Sequence, residues 1–424
     1  MNNVLKNKKL LILGATPSEV SLVKRAQELG VYVIVTDYNT DHALSPAKDV
    51  ADEYWDISWS DIDTLYIRCR EENVDGVTAG YSEFRIDAML QLCQRLHLPC
   101  YTTKEQLEIT RDKLKFKDFC RKCGVPVVKE FSTPEEVTEY PVIVKPVDRA
   151  GSIGISVAND RDELLEAYRY AMEKSICKKV IIEAFIQDGI KFDVYYGVEN
   201  GEITVLSTCD TINAKANGSE KVVQSCWLYP SRYESIFDST VDASLRKMIQ
   251  EMQIRYGCIF FSGFVNPDHT FTFFECGFRL EGAHQYEYVK RRGLYNFNDL
   301  FIFHALTGDT LGMERGGMVD HQLKFADVNL YAKSGVIEQI HGIDKAEAIP
   351  ECILSLTRAH IGQNCDESKA ILDKIAQFGF ASESPDRLCE CIKALYHNFK
   401  VLGTEQEDMI YDRIDPDLLL DWWS

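Results

Sequence analysis

The chain has 424 residues, of which 45% are hydrophobic and 27% are charged, the composition of a globular protein with about two to four domains. Asp and Glu number 66 against 47 Lys and Arg, so the formal net charge is −19. This acidic excess argues against nucleic acid or an anionic membrane surface as the main partner, because both would be repelled. We therefore expect no nucleic-acid partner and no membrane partner.

The start of the chain and its cysteines indicate a cytoplasmic protein. Residues 1–9 are polar and the apolar run at 10–13 is too short for a signal sequence. The 14 cysteines are scattered along the chain, which favours reduced thiols. Cys120 and Cys123 form a single CxxC within a predicted helix, and the lack of a second pair argues against zinc.

Predicted strands and helices alternate in the first hundred residues. The predicted strands cover residues 9–13, 31–35, 74–78 and 98–100, and the predicted helices cover 18–29, 62–72 and 86–96. This alternation predicts a Rossmann-like parallel sheet with helices on both faces. Gly14 follows the first strand without a GxGxxG pattern, so it either shapes a turn or approaches a ligand, and no dinucleotide site is predicted.

A small α+β unit and two hairpins follow a helical stretch at 103–124. The unit has predicted strands at 140–146, 155–157 and 179–183 and a helix at 162–175, an arrangement able to cover a ligand as a lid. The hairpins are predicted at 192–208, around an Asn-Gly turn, and at 258–275, with a helix at 245–256 between them. Beyond residue 320 we predict a strand at 335–340 and helices at 369–378 and 386–398.

Three stretches carry candidate chemistry. Lys145 ends a buried strand and precedes a loop containing Gly151, Ser152 and Gly154. This pattern fits a phosphate-binding loop and also a surface hairpin with an extended lysine, and by itself it does not decide between the two. Residues 183–186 end a β-branched strand that can offer an apolar slot and backbone groups to a purine. Glu275 and Arg279 lie at the end of another predicted strand, on the same face. Glu275 can bind a metal ion while Arg279 stabilises a phosphoryl group, or the two residues form an ion pair at the surface.

In this order, the three stretches resemble the ATP-grasp superfamily, which includes biotin carboxylase, the large subunit of carbamoyl phosphate synthetase and D-alanine–D-alanine ligase. The resemblance covers about residues 1–315, and the tail is similar to the accessory region of the biotin-carboxylase branch. It implies an α/β chain with a Rossmann-like domain at 1–103, an ATP-grasp α+β fold of two subdomains at 104–318, whose lid covers about 115–186, and a small α+β region at 319–424.

The resemblance also implies roles for individual residues. The implied assignments are phosphate binding by Lys113, Lys145, Gly151, Ser152 and Gly154, adenine binding by Glu183, Ala184, Phe185 and Ile186, ribose contact by Asp193, metal binding by Glu275, and catalysis by Arg279. Beside these, Glu83, Glu281 and His284 are candidates for substrate contact, although a structural role is the alternative for each.

Three positions depart from the family pattern. Lys191 stands where a ribose-binding glutamate is usual, residues 261–264 lack the second acidic metal ligand, and Gly277 replaces an asparagine. The metal site is therefore expected to be thinner than in the family.

The resemblance implies an ADP-forming carboxylate–amine ligase that uses ATP and Mg²⁺ or Mn²⁺ on small-molecule carboxylate and amine substrates. A bicarbonate-using carboxylase and a nucleotide-binding protein without ligase turnover remain alternatives. By analogy with the family, we also expect a homodimer.

Overall fold

The computed structural model describes residues 4–149, 153–215, 222–367 and 372–423. The sequence predictions that fall on Gly151 and Ser152 lie outside these ranges.

A four-stranded parallel sheet forms the N-terminal unit, as predicted. Its elements are β1 (Lys9–Leu13), α1 (Val20–Glu28), β2 (Tyr32–Thr36), α2 (Ala47–Val50), β3 (Glu53–Trp55), α3 (Ile62–Glu71), β4 (Gly76–Thr78) and α4 (Ile86–Leu96). The strand order is β3-β2-β1-β4, and apolar residues of β1 alternate between two cores, one on each face. The strand predicted at 98–100 is wrong, because the amide of Leu98 bonds back to Cys93 and ends α4 in a turn.

The predicted helical stretch at 103–124 consists of two helices. These are α5 (Lys104–Arg111) and α6 (Lys113–Cys123). Asp112 separates them, because its side chain accepts hydrogen bonds from the amides of Leu114 (2.9 Å) and Lys115 (3.0 Å) and thereby caps α6.

The predicted small α+β unit is present as a four-stranded antiparallel sheet covered by one helix, and its role as a lid stays a prediction. Its elements are β5 (Glu130–Phe131), β6 (Val142–Pro146), β7 (Ser156–Ala158), α7 (Arg161–Lys174) and β8 (Val180–Ala184). The strand order is β5-β8-β6-β7, and α7 shares a small apolar core with the sheet.

Both predicted hairpins are confirmed, and they lie side by side in one large sheet. The elements of this central part are β9 (Ile190–Glu199), β10 (Glu202–Lys215), β11 (Val222–Tyr229), α8 (Glu234–Thr240), α9 (Asp242–Glu251), β12 (Tyr256–Val265), β13 (Phe271–Phe278), α10 (Tyr286–Arg291) and α11 (Asn298–Thr307).

The C-terminal region extends this large sheet. Its elements are β14 (Lys324–Tyr331), β15 (Gly335–Val336), β16 (Gln339–His341), α12 (Ile343–Glu347), β17 (Cys352–Thr357), β18 (Asn364–Cys365), β19 (Lys374–Ser382), α13 (Pro385–Asn398) and β20 (Lys400–Leu402). The antiparallel sheet has eight strands in the order β13-β12-β9-β10-β11-β14-β19-β17.

One prediction for this region is wrong, since residues 374–378 belong to strand β19 and not to a helix. Nearly all of β19 is buried on both faces, and a short apolar run of that kind does not distinguish a strand from a buried helix. The sheet crosses the predicted boundary between residues 318 and 319, and the three-part division of the chain stays a prediction.

Candidate functional site

One face of the eight-stranded sheet carries a row of polar side chains. Glu275 on β13 is in register with Ser262 on β12, which is in register with Asp193 on β9. Further along the same face, Trp227 on β11 is paired with Asp327 on β14. We call this surface the cleft face. It is the face that is directed towards the N-terminal unit, since Tyr195 and other residues of the same face pack in a core shared with that unit.

Lys113 and Lys145 approach the Glu275 end of the cleft face. Burial lowers the pKa of Lys113, the carboxylate of Glu275 opposes this effect, and the ammonium of Lys145 adds to it. Lys113 Nζ also donates to the carbonyl of Arg149 (3.0 Å), at the edge of the glycine-containing loop. The charges of Lys145 and Glu275 therefore both act on Lys113, and the predicted phosphate contacts of the two lysines stay predictions.

Glu183 lies buried beneath these lysines. Its carboxylate pairs with Lys145 (2.5 Å) and with Lys117, a fully buried residue of α6. The predicted contact of its side chain with an adenine amino group would compete with these two ion pairs. Sequence reasoning missed Lys117, since one lysine in an amphipathic helix carries no distinguishing pattern.

The backbone after Glu183 retains a free donor. The amides of Ala184 and Phe185 bond to Lys129 (2.9 Å) and Pro141 (3.0 Å). Within the part of the chain that the structure describes, no hydrogen bond engages the amide of Ile186. Recognition of a purine edge by this backbone stays a prediction.

The described part of the glycine loop ends at Gly154. This residue has φ +78°, and a Cβ there would lie 2.8 Å from the ring of Pro146. Glycine is thus required both by the left-handed backbone and by the close approach to β6.

Arg279 is held by the N-terminal unit. Its Nε donates to Glu83 (2.9 Å), and Glu83 also accepts from Arg111 (2.5 Å). The guanidinium lies over the ring of Phe260, and a Cβ on Gly277 would meet that ring at 2.4 Å. Gly277 therefore makes room for the ring beneath Arg279, and Glu83 orients the guanidinium.

Asp193 is already bound by protein groups. It accepts from Lys191 (3.0 Å) and from the hydroxyl of Ser262, and it is 3% exposed. Burial alone would lower the pKa of Lys191. The carboxylates of Asp193 and Glu275 outweigh this effect, so that the pKa of Lys191 is raised. Asp193 is thus placed in a network with Lys191 and not in an open ribose site.

Glu281 and His284 follow Arg279 on the turn after β13. Burial raises the pKa of Glu281, while the nearby charges of Arg279 and Lys374 lower it. His284 is 2% exposed, packs against Tyr81, and has a pKa held well below its usual range by burial. Glu281 is half-buried and available to a ligand, whereas His284 is a neutral side chain enclosed in the wall.

Sequence reasoning missed a second polar group at the other end of the cleft face, which we call the C-terminal cluster: Asp327, Arg358, Lys374 and Gln377. The Gln377 amide nitrogen donates to Asp327 (2.8 Å), and its oxygen accepts from Arg358 (3.3 Å) and Lys374 (3.4 Å). Asp327 lies on β14, Lys374 and Gln377 lie on β19, and Arg358 directly follows β17. Lys374 lies in a segment predicted as helix, so no sequence pattern links these residues.

The residues at Glu275 fit a cation that is shared with phosphates. Glu275 is exposed, and Mg²⁺ is commonly held by one or two carboxylates together with substrate phosphates. Among residues 4–149, 153–215, 222–367 and 372–423, no three His, Cys, Asp or Glu side chains are grouped to hold a metal ion by themselves. The protein share of such a site is therefore small.

Comparisons with known proteins bear on the family and the fold. Residues 115–270 match the family model "D-ala D-ala ligase C-terminus". The formate-dependent phosphoribosylglycinamide formyltransferase of Prochlorococcus marinus subsp. pastoris is 27% identical over 195 residues, which cover 44% of this chain and 48% of that protein. The chain thus spans about half, or less, of the length of the curated relatives it matches.

Solved structures resemble the whole chain. The L-amino acid ligase of Bacillus licheniformis has a TM-score of 0.73 and 19% identity, covering 94% of this chain and 99% of that one. The biotin carboxylase domain of Hydrogenobacter thermophilus 2-oxoglutarate carboxylase, solved with MgADP and bicarbonate, has a TM-score of 0.74 and 15% identity, covering 97% and 93%. The chain has the ATP-grasp fold, and the predicted resemblance to the ATP-grasp superfamily is confirmed. No helix in the described ranges is both long and apolar enough to span a membrane.

Proposed function

We propose that the protein is an ADP-forming carboxylate–amine ligase. The observation that carries this proposal is the position of Lys145 over the ring of Phe274, the neighbour of Glu275 on β13, with Arg279 directly after that strand. The charges of Lys145 and Glu275 both act on Lys113. Two ammonium groups, a carboxylate exposed to the cleft and a guanidinium form a set suited to holding a triphosphate and stabilising a transferring phosphoryl group.

The reaction has two balanced steps. A carboxylate oxygen of the substrate attacks the γ-phosphorus of ATP, the bond from that phosphorus to the bridging oxygen breaks, and ADP leaves. The amine nitrogen then attacks the carbonyl carbon, the bond to the phosphate oxygen breaks, and inorganic phosphate and an amide form while the nitrogen loses a proton. Phosphorylation is required because a free carboxylate would have to expel oxide.

The side chains have separate tasks in this reaction. Lys113 and Lys145 bind phosphate oxygens, and Ile186 offers its amide to the purine. Glu83 holds Arg279 against the reacting oxygens, so that no reorganisation is needed during transfer. A Mg²⁺ or Mn²⁺ ion at Glu275 would supply positive charge to the phosphates.

The relatives and the site support this assignment over its alternatives. The similar proteins include the L-amino acid ligase of Bacillus licheniformis and a D-alanine–D-alanine ligase of Fusobacterium nucleatum, whose names describe the joining of an amine to a carboxylate. A carboxylase that uses bicarbonate is the second candidate, favoured by the likeness to a biotin carboxylase domain solved with bicarbonate. A nucleotide-binding protein without turnover is the third, favoured by the single exposed carboxylate at the metal site.

We also propose the three-part domain division, a homodimer and a cytoplasmic location.

The experiment is phosphate release from ATP and Mg²⁺ by the full chain with pools of carboxylates, amino acids and bicarbonate. We expect one pool to stimulate release, and Arg279→Ala to abolish it while Arg291→Ala, at an exposed arginine, does not. Tight ATP binding without stimulation by any pool would instead favour a protein without turnover.

Nucleotide binding is tested separately by calorimetry. Lys145→Ala should weaken ATP binding by about 2–3 kcal/mol, the range of a charge-assisted contact. An unchanged affinity would remove Lys145 from the phosphate site.

A further inference from the structure

Phe264 and Phe274 form an aromatic floor beside the proposed nucleotide site. Their ring centroids lie 5.1 Å apart, and Lys145 Nζ lies 5.8 Å from the centroid of the Phe274 ring. At the other end of the floor, a Cβ on Gly189 would lie 2.5 Å from the side chain of Ile186 and 3.2 Å from that of Phe264. The floor therefore connects the segment proposed to bind the purine with a lysine proposed to bind phosphate.

Lys191 lies next to this floor. It is in register with Phe264 on the neighbouring strand, and it lies two residues from Asp193, so both side chains belong to the cleft face. Lys191 Nζ donates to Asp193 (3.0 Å) and to the side-chain oxygen of Gln224 (3.3 Å), and the lysine side chain is 17% exposed. An ammonium has three donors, and the described residues provide no third acceptor for this one. Lys191 thus retains one donor for a ligand in the cleft.

The carboxylates in the row beside Lys191 are not equally available. Asp193 and Glu275 are each in register with Ser262, two strands apart, which separates their backbones by about 10 Å. Asp193 is 3% exposed and accepts from the Ser262 hydroxyl as well as from Lys191. Glu275 is exposed and is therefore the one residue of this row that is open to a metal ion.

A nucleotide in this site needs more positive charge than one divalent ion at Glu275 supplies. Asp193 and Gln224 fix the Lys191 ammonium from two sides, so its remaining donor is oriented before a ligand arrives. A charged donor that is already oriented stabilises an anion without reorganisation. Lys191 therefore fits the part that a second divalent ion plays where more carboxylates are available.

We propose that Lys191 binds a phosphate oxygen of the nucleotide in place of a second divalent ion, so that the chain takes its nucleotide with a single Mg²⁺ or Mn²⁺. This inference rests on the nucleotide site of the ligase function proposed above and adds a third ammonium to that site. The lysine at 191 and the missing acidic ligand at 261–264 then have one physical explanation, since an ammonium replaces an ion and its carboxylate together.

The first test measures the affinity of the full chain for a non-hydrolysable ATP analogue with Mg²⁺ by calorimetry. Lys191→Met should weaken binding at least about tenfold, because it removes a charge-assisted contact. Lys191→Arg keeps the positive charge and should recover most of the lost affinity. Lys345→Met, at an exposed lysine of α12, is the control and should bind as the wild type does, and thermal midpoints check that each variant is folded.

The second test counts the metal ions in the complex. Electron paramagnetic resonance of free Mn²⁺ during titration of the chain with the ATP analogue should show one bound Mn²⁺ per wild-type chain. Lys191→Glu replaces the ammonium by a carboxylate and releases Asp193 from its ion pair, so this variant should bind a second Mn²⁺.

The outcomes distinguish this inference from the ligase function. An unchanged affinity in a folded Lys191→Met chain, two Mn²⁺ ions in the wild-type complex, or a single Mn²⁺ in a folded Lys191→Glu complex would each overturn the role of Lys191. The expected affinities and ion counts without phosphate release from ATP by any substrate pool would support Lys191 as a phosphate ligand and remove the ligase function. A wild-type chain that does not bind the analogue would overturn both.

Discussion

Asp327 shows how one buried residue sets a pH dependence. Burial raises its pKa to about 7, and this effect exceeds the opposing ones of Lys374, Gln377 and Arg358, while Glu281 adds to the rise. Between its ordinary value of 3.8 and about 7, the native state keeps a proton that the unfolded state releases. Stability must therefore fall as the pH rises through this window, by up to about 3–4 kcal/mol.

Replacing Asp327 by Asn should remove this fall. We measure the free energy of unfolding in urea between pH 4 and 7 and expect the value for Asp327→Asn, relative to that for the wild type, to increase steadily as the pH rises. Asp344→Asn, at an exposed aspartate of α12, serves as the control and should run parallel to the wild type. Parallel curves for Asp327→Asn would show that the carboxyl ionises normally in the native state.

At the scale of elements, a buried ion triad joins helix α6 to the lid sheet. Glu183 on β8 is 1% exposed and pairs with Lys145 of β6 and Lys117 of α6, and Lys117 also pairs with Glu130 of β5 (2.9 Å). Removing Lys117 leaves two carboxylates with less positive charge in a site that water does not reach. We expect Lys117→Met to cost about 3–5 kcal/mol.

The same helix supplies the control for this prediction. Lys122 pairs with Glu251 at 3.3 Å with both side chains largely exposed, and Lys122→Met should cost less than about 1 kcal/mol. Urea unfolding of both variants gives the comparison. Equal costs would mean that the triad does not hold the lid against α6.

At the scale of the whole molecule, the N-terminal unit is fixed to the central part by a bidentate ion pair. Arg25 of α1 donates to both oxygens of Asp299 of α11, at 2.7 and 2.8 Å, and Asp299 is 1% exposed. Arg279 and Glu83 span the same junction at the site itself. The cleft is therefore built between parts that are locked together, which keeps Arg279 in place.

We expect Asp299→Asn to destabilise the chain by about 3 kcal/mol, since it removes the buried counter-charge of Arg25 and leaves only the exposed Glu28 as its partner. The matched control is Asp63→Asn, because Asp63 pairs with Arg95 at 2.7 Å on the open surface and is worth less than about 1 kcal/mol. Urea unfolding followed by tryptophan fluorescence and by circular dichroism measures both. A difference below 1 kcal/mol would show that the ion pair does not carry the junction.

Local patterns in the sequence determined the parallel sheet, the small α+β unit and both hairpins, and they singled out Lys145, Glu275 and Arg279 as candidates. Strands, turns and the surroundings of Lys145, Glu275 and Arg279 depend on neighbours a few positions away, and the family resemblance follows the same contiguous motifs. Their periodicity and turn residues can therefore be recognised from the sequence alone.

Only the tertiary structure decided which distant residues meet. Lys117 shares the carboxylate of Glu183 with Lys145, and Glu83 holds Arg279. Arg358, Lys374 and Gln377 form a cluster because an eight-stranded antiparallel sheet places the C-terminal strands beside the central hairpins. Strand order and register, set by the packing of whole faces, bring these side chains together, and no local spacing encodes that order.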